Sequence, residues 1–281
     1  MKKALLLLLA ILMIALPITS CGLFDSSEEY NLFNNGLAPF ISSDGKYGYV
    51  NEKGEWAIEP QFDDAYAFAE NGLASVKSGE KWGYIDEDGK YAINPQFDDA
   101  YAFAENGLAS VKSGEKWGYI DEEGKFVINP QFDDAYDFSE NGLAVVKSGE
   151  KWGYIDEEGK FAINPRFDDA FSFDENGLAL VMSGEKWGYV NEKGEWVIEP
   201  QFDDAYYFSN NGLASVKSGE KWGFIDEEGK YVINPQFDYV YDFYDDGYAI
   251  TVVEGDGEYT CAIIDEEGKV IIQSTVKDDA E

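Results

Sequence analysis

Paired aspartates and tryptophans recur along this chain at a constant spacing, and both residue types can bind ligands. The aspartate pairs are Asp63-Asp64, Asp98-Asp99, Asp133-Asp134, Asp168-Asp169 and Asp203-Asp204. The tryptophans that precede a glycine are Trp82, Trp117, Trp152, Trp187 and Trp222, each 35 residues from the next. Carboxylates are the ligands that hard cations such as Ca²⁺ take, and they also attract basic partners. Indole faces stack on sugar rings and on cations.

Both motifs also have a structural interpretation, which we favour. No unit has the dense alternation of acidic residues that a calcium loop needs, so we expect the aspartate pairs to lie in solvated turns. Contacts of these pairs with a cation or a basic partner are the alternative. A tryptophan next to a glycine suits the core between neighbouring units, because glycine permits close approach. We therefore assign the five tryptophans to the core and expect neither a metal site nor a cofactor.

Composition excludes several classes of function. The 281 residues contain no histidine, 21 Lys and Arg and 56 Asp and Glu, for a formal charge of -35. Without histidine there is no Ser-His-Asp or Cys-His pair and no common zinc site. So strong a negative charge repels nucleic acid. Almost every residue also recurs in equivalent settings, whereas catalysis needs singular residues in unlike environments, so we expect no enzymatic activity.

The first residues have the pattern of a signal peptide. Lys2 and Lys3 precede an apolar stretch from Ala4 to Leu16, which is too short to span a membrane. The run Ile18-Thr19-Ser20-Cys21 resembles the lipobox of bacterial lipoproteins. That resemblance implies cleavage before Cys21 and a lipid on its sulfur. We interpret residues 1–20 as a lipoprotein signal peptide and residues 21–28 as a lipidated linker, which predicts an extracytoplasmic protein anchored in the cell envelope.

Most of the remaining chain consists of seven units of 35 residues. The glycine of a Gly-Leu-Ala motif recurs at Gly72, Gly107, Gly142, Gly177 and Gly212, with variants at Gly36 and Gly247. Together with the tandem signature Lys-Trp-Gly-Tyr-Ile-Asp, this pattern resembles the WG-repeat (KWG) proteins of bacteria. The resemblance implies short β-rich modules with no shared enzymatic activity. We assign residues 29–272 to this repeat domain and residues 273–281 to an acidic tail.

The unit from Gly107 onward predicts three strands and a less regular segment. Leu108 to Lys112 and Lys116 to Asp121 alternate as strands, and a glycine-containing loop follows, in which Gly124 takes the left-handed conformation. A third strand from Phe126 ends at Pro130, which lacks a backbone donor. Residues 131–138 form either a fourth, edge-like strand or a turn and a short strand.

Such a unit cannot bury both faces alone, so its neighbours must stack on it. The sequence predicts an all-β tandem array, and we favour a closed, seven-bladed propeller-like ring. Residues 29–33 resemble the last segment of a unit, and the chain stops soon after the third strand at residues 270–272, so the two ends would complete one blade. An open β-solenoid of hairpin repeats is the alternative, because both terminal units depart from the signature.

These features predict a lipid-anchored binding scaffold rather than a catalyst. Each unit is acidic, so we expect a protein partner with a basic surface. Attachment to the membrane would occur through the lipid alone. A binder of cell-wall glycans that uses aromatic grooves is the alternative function.

Overall fold

The computed structural model describes residues 32–244, 246–255 and 257–277, and these residues form β-strands with no helix. The predictions for the signal peptide, Cys21 and residues 29–31 lie outside the described residues. Sheets 1 to 4 consist of β1 (Leu37–Ile41), β2 (Tyr47–Asn51), β3 (Trp56–Phe62); β4 (Asp64–Ala65), β5 (Ala74–Ser78), β6 (Lys81–Ile85), β7 (Tyr91–Phe97); β8 (Asp99–Phe103), β9 (Ala109–Ser113), β10 (Lys116–Ile120), β11 (Phe126–Phe132); β12 (Asp134–Phe138), β13 (Ala144–Ser148), β14 (Lys151–Ile155) and β15 (Phe161–Phe167). Sheets 5 to 7 consist of β16 (Asp169–Phe173), β17 (Leu178–Ser183), β18 (Lys186–Asn191), β19 (Trp196–Phe202); β20 (Asp204–Phe208), β21 (Leu213–Ser218), β22 (Lys221–Asp226), β23 (Tyr231–Phe237); β24 (Tyr239–Val240), β25 (Tyr248–Gly255), β26 (Glu258–Asp265) and β27 (Val270–Lys277).

Each sheet is an antiparallel meander whose boundaries are shifted relative to the sequence unit. In sheet 4 the order is β12-β13-β14-β15, so the segment Asp134–Phe138 pairs with β13 and not with the strand before it. The less regular segment of one unit is therefore the first strand of the next sheet. A unit that is followed by another thus contributes strands to two sheets. Consecutive units are therefore joined both by the chain and by the hydrogen bonds between their strands within one sheet.

The third predicted strand continues through its proline. β11 runs from Phe126 to Phe132, and its register with β10 shifts on both sides of Tyr119. Proline is tolerated because β11 is the edge strand of its sheet, where a missing donor breaks no ladder bond. The irregular backbone crosses directly over Gly118, where an added Cβ would lie 2.5 Å from the Ile128 carbonyl oxygen and 2.7 Å from the Pro130 nitrogen. This close approach explains the glycine that follows each tryptophan.

The hydrophobic core lies between sheets. One cluster joins Trp117, Tyr119 and Ile128 of sheet 3 to Ala144 and Val146 of sheet 4. Five equivalent clusters join the other consecutive pairs. The side chains of Trp117 and Tyr119 face the following sheet, whereas Ile120 packs on the preceding one, as the strand alternation predicts. Sheets are therefore stabilised by their neighbours.

The architecture is an all-β, propeller-like array of seven sheets, but its ends differ from the predicted closure. Sheet 7 already has four strands, β24 from the sixth unit and three from the seventh, and β27 extends to Lys277, beyond the predicted boundary at residue 272. Sheet 1 has only three strands among the described residues. Within the same residues, no strand pairing joins sheet 7 to sheet 1. Sheet 7 therefore does not lack the strand that residues 29–33 were expected to supply, and residues 29–31 themselves lie outside the described residues.

We expect Gly118→Ala to lower the free energy of unfolding by about 3 kcal/mol, because the new methyl group overlaps the backbone of β11. Urea unfolding followed by far-UV circular dichroism would measure this change. Gly255→Ala is the matched control, since a Cβ at Gly255 meets no atom within 4 Å. Equal stability of the two variants would contradict this account of the Trp-Gly motif.

Candidate functional site

The tryptophans of the repeat are covered by neighbouring side chains. Trp117 is 4 % exposed, and Trp82, Trp152 and Trp222 are similarly buried, while Trp187 is partly buried. In sheet 3, Tyr101 stacks on one face of Trp117 with a centroid separation of 5.3 Å. The Lys112 ammonium lies 5.7 Å from the indole centroid. A sugar could not stack on Trp82, Trp117, Trp152 or Trp222 without displacing a tyrosine or a lysine, and on Trp187 it would have to displace Phe171.

The stacked tyrosines are more accessible than the tryptophans. Tyr66, Tyr136 and Tyr206 are between 41 and 44 % exposed, and each stacks on the tryptophan of its own sheet. Each of these tyrosines lies on the first strand of its sheet or directly after it. The first strands of consecutive sheets contact each other, as β8 and β12 do. These tyrosines form a row of exposed aromatic rings along that edge of the array.

The first aspartate of each pair links two sheets. Asp133 Oδ1 accepts a hydrogen bond from Lys116 Nζ of sheet 3 at 2.5 Å, and Asp133 Oδ2 accepts one from the Gly149 N–H, in the turn between β13 and β14 of sheet 4, at 2.8 Å. The ion pair and the N–H contact hold the pKa of Asp133 below its usual value. Equivalent lysine partners bind Asp63, Asp98, Asp168, Asp203 and Asp238. We call this arrangement the aspartate clasp.

The side chain of the second aspartate of each pair accepts a hydrogen bond from the backbone N–H of the next residue. Asp134 Oδ1 accepts a hydrogen bond from the Ala135 N–H at 3.0 Å, and Asp64, Asp99, Asp169 and Asp204 do the same. These five side chains are partly buried. Across the described residues, no three acidic or cysteine side chains come together in a group that could hold a metal ion. The two members of a pair therefore have different surroundings, which their adjacency in sequence does not indicate.

Because consecutive strands are antiparallel, successive loops lie alternately at two opposite ends of the array. These two ends differ in charge. One end, which we call the acidic end, carries the loops between the third and fourth strands and the Asn-Gly turns. Around sheets 3 and 4 its charged residues are Asp121, Glu122, Glu123, Lys125 and Glu140. The opposite end, which we call the clasp end, carries Lys112, Glu115, Lys116, Asp133 and Asp134. Around these two sheets the acidic end therefore has a net charge of -3 and the clasp end only -1. Around sheets 5 and 6 this difference is lost, because the acidic end there carries only Glu192, Lys193 and Glu195.

Hydrogen bonds between sheets hold the loops of the acidic end in place. Asn71 of sheet 2 donates to Glu122 Oε1 of sheet 3 at 3.1 Å. Asn106 and Asn141 make the same bond to Glu157 and Glu192. Within each loop, the Asp121 carboxylate accepts hydrogen bonds from the N–H groups of Glu123 and Lys125. A row of similarly oriented acidic loops results.

This sequence and geometry match a known family along most of the chain. The model of the WG containing repeat matches residues 47–82, 82–117, 117–152, 152–187, 187–222 and 222–255. The chain belongs to the WG-repeat family. No curated protein sequence matches this chain.

Solved structures show the same kind of fold for the WG-repeat array. The crystal structure of the eukaryotic initiation factor is similar to it with a TM-score of 0.60, at 12 % identity over 85 % of this chain and 74 % of that one. Hsv2p of Kluyveromyces lactis has a TM-score of 0.51, at 10 % identity over 87 % of this chain and 96 % of that one. At such low identity the likeness concerns the propeller-type fold alone. Among the residues described, no helix is long and apolar enough to cross a membrane.

Two partly buried carboxyl groups within the WG-repeat array were not identified from the sequence. Asp137 of sheet 4 accepts a hydrogen bond from Ser110 Oγ of sheet 3 at 2.5 Å, and Asp242 of sheet 7 accepts one from Ser215 of sheet 6. Burial raises the pKa of both carboxyl groups to about 6. The sequence contains a pattern that could have indicated these contacts, because each aspartate follows its serine partner by 27 residues. Ser75 lies one repeat before Ser110 but faces no aspartate, and its Oγ has no partner in the described structure.

The two classes of aspartate give opposite pH dependences of stability. The pKa of Asp137 is raised, so its contribution is complete below the ordinary value of 3.8 and is lost as the pH rises through about 6. The pKa of Asp133 is lowered, so its contribution is present above 3.8 and is lost as the pH falls through the lowered value. Stability should therefore be greatest between these two transitions.

We expect Asp137→Asn to raise the free energy of unfolding above pH 7 by about 1 to 2 kcal/mol, because the amide keeps the contact with Ser110 and cannot ionise. Urea unfolding at a series of pH values would show a smaller loss of stability between pH 5 and 7 for this variant. The exposed Glu115→Gln is the control for removal of one charge. If Asp137→Asn kept the pH dependence of the unsubstituted protein, the raised pKa would be excluded as its cause.

Proposed function

We propose that this WG-repeat protein is a non-enzymatic scaffold, anchored through a lipid on Cys21 outside the cytoplasm, whose acidic end binds a basic protein. The unequal charge of the two ends is the observation that carries this proposal. The acidic loops repeat in register from sheet to sheet and therefore present an extended surface rather than a pocket. Such a surface suits a partner with distributed lysines and arginines.

The composition of the loops supports electrostatic recognition. Glu123, Glu158 and Glu228 pair only with a lysine two residues away in the same loop, and these pairs are more than 70 % exposed. Exposed ion pairs of this kind contribute little to stability. A glutamate could therefore exchange its lysine for a cationic side chain of the partner with little loss of free energy. The first aspartate of each pair at the clasp end, in contrast, already holds neighbouring sheets together.

Glycan binding is the alternative function, and the exposed tyrosines favour it. Tyr66, Tyr136 and Tyr206 offer ring faces at a regular spacing. Because each ring stacks on a tryptophan, a bound muropeptide would change the tryptophan fluorescence. A saturable change on titration with muropeptides would support this alternative, and an unchanged spectrum would speak against it.

Two triple variants, one at each end of the array, distinguish binding by the acidic end from an effect of the net charge of the protein. We expect the triple variant Glu123→Gln, Glu158→Gln and Glu228→Gln to bind lysozyme, as a basic probe protein, about tenfold more weakly at low salt. The control triple variant Glu115→Gln, Glu150→Gln and Glu220→Gln removes the same charge from the clasp end and should change affinity about twofold at most. Biolayer interferometry would measure both. Equal losses in the two variants would contradict a role for the acidic end.

The two cysteines allow a matched test of the lipid anchor. We expect cells that express the full chain to incorporate an alkyne-labelled fatty acid into the protein, and Cys21→Ala to abolish the label and release the protein from membranes. Cys261→Ala should keep both properties, because Cys261 is buried in sheet 7. Labelling that survives Cys21→Ala would refute attachment at this residue.

A further inference from the structure

Six of the seven sheets end in a strand whose free edge is interrupted by proline. These outer strands are β3, β7, β11, β15, β19 and β23, and their prolines are Pro60, Pro95, Pro130, Pro165, Pro200 and Pro235. Each of these strands also has an irregular register with its neighbour. Proline and bulges are the means by which proteins prevent another strand from pairing with an exposed edge.

The outer strand of sheet 7 lacks this protection. β27 reads Val-Ile-Ile-Gln-Ser-Thr-Val-Lys and has Ser274 at the position of the other prolines. Its register with β26 is continuous from Ile263↔Ile272 to Glu258↔Lys277. Val270, Ile271, Ile272 and Val276 are between 36 and 51 % exposed. β27 is therefore a long edge without proline, whose register shifts once, between Ile263 and Ile264 of β26, and is regular from Ile272 to Lys277, with backbone groups available for pairing.

We propose that β27 is a docking site for an extended segment of a partner protein, which adds to sheet 7 as a further strand. The segment would have β-branched or apolar residues along its length and lysines or arginines at its ends. Main-chain hydrogen bonds would supply affinity, and the exposed valines and isoleucines would select apolar side chains.

Charge decides between a basic partner and a second copy of this chain. The loop before β27 contains Asp265, Glu266 and Glu267, and the sequence after Lys277 reads Asp-Asp-Ala-Glu. A pair of two β27 strands would bring together two chains that each have a formal charge of -35. Like charges opposed across a strand pair are destabilising. The same acidic residues would attract a segment with basic ends.

This surface is the outer strand of one sheet, and its flanking loop belongs to the acidic end of sheet 7. The triple variant of Glu123, Glu158 and Glu228 leaves that loop unchanged, so either proposal can fail alone. The probe is a synthetic peptide of alternating valine and threonine, flanked by lysines and labelled with a fluorophore. We expect the full chain to bind it in fluorescence anisotropy. A peptide with N-methyl groups on every valine and threonine should bind at least about tenfold more weakly, because neither of its edges can then donate hydrogen bonds. A peptide with glutamates in place of the lysines should also bind more weakly.

Two proline variants locate the site on the protein. Adjacent residues of a strand direct their N–H groups to opposite edges, so one of Gln273→Pro and Ser274→Pro removes an outward donor and the other a bond to β26. The variant that keeps the unfolding midpoint should lose peptide binding, while the triple variant of the acidic end should keep it. Equal binding of the N-methylated peptide, or binding that both proline variants retain, would overturn strand addition. Concentration-dependent dimerisation of the full chain, abolished by a proline variant, would overturn the partner in favour of a second copy.

Discussion

The burial of apolar side chains between consecutive sheets is the interaction on which the rest of this structure depends. A single meander of four short strands leaves both faces open, and the large side chains on one face are buried only when the next sheet covers them. Trp117 and Tyr119 illustrate the arrangement, because the residues that complete their cluster belong to sheet 4. The shifted boundary between sequence unit and sheet reinforces it, since each unit supplies the first strand of the following sheet. Glycine is required where backbones meet, at Gly118 beneath the bulge of β11 and at Gly124, whose loop packs on Ile93 of the preceding sheet.

Because each sheet depends on its neighbours, the first and last sheets differ from the internal ones. Polar contacts that recur between internal sheets lose their donors in sheet 7, where Thr260 stands at the position of the clasp lysine and Ile263 at that of the tyrosine which donates to the next sheet. A methyl group added at Gly54 of sheet 1 would meet no atom within 4 Å, whereas one added at each equivalent glycine would meet an isoleucine. Phe40 is 56 % exposed, while Val76 and Val111 at its position are fully buried. Within the described part of the chain, each terminal sheet therefore has one face covered by a neighbouring sheet.

Much of this fold could be predicted from the sequence because the repeat shows each local preference several times. Hairpin glycines, strand alternation and the burial of the Trp-Gly motif follow from residue type and spacing. The assignment of Asp134–Phe138 to the next sheet could not be predicted, since its alternation is loose and pairing partners are a tertiary property. The continuation of β11 through Pro130 was missed because proline excludes a residue from a ladder only where its donor is needed, and the edge position was unknown. The two aspartates of a pair are indistinguishable in sequence, yet a lysine 17 residues before the first one gives it a separate role.

Hydrogen exchange of the backbone amides, read by mass spectrometry, tests most directly whether contacts between sheets hold the molecule together. If they do, amides of β10 and β14, whose sheets are covered on both faces, should be protected at least about tenfold more than amides of β2 and β26 in the terminal sheets. β2 has five residues, as β10 and β14 have, β26 has eight, and all four strands are paired on both sides within their own sheets, so pairing alone predicts no lower protection in the terminal sheets. Uniform protection across all seven sheets would contradict the account, because it would show that each sheet is stable without a neighbour on its outer face.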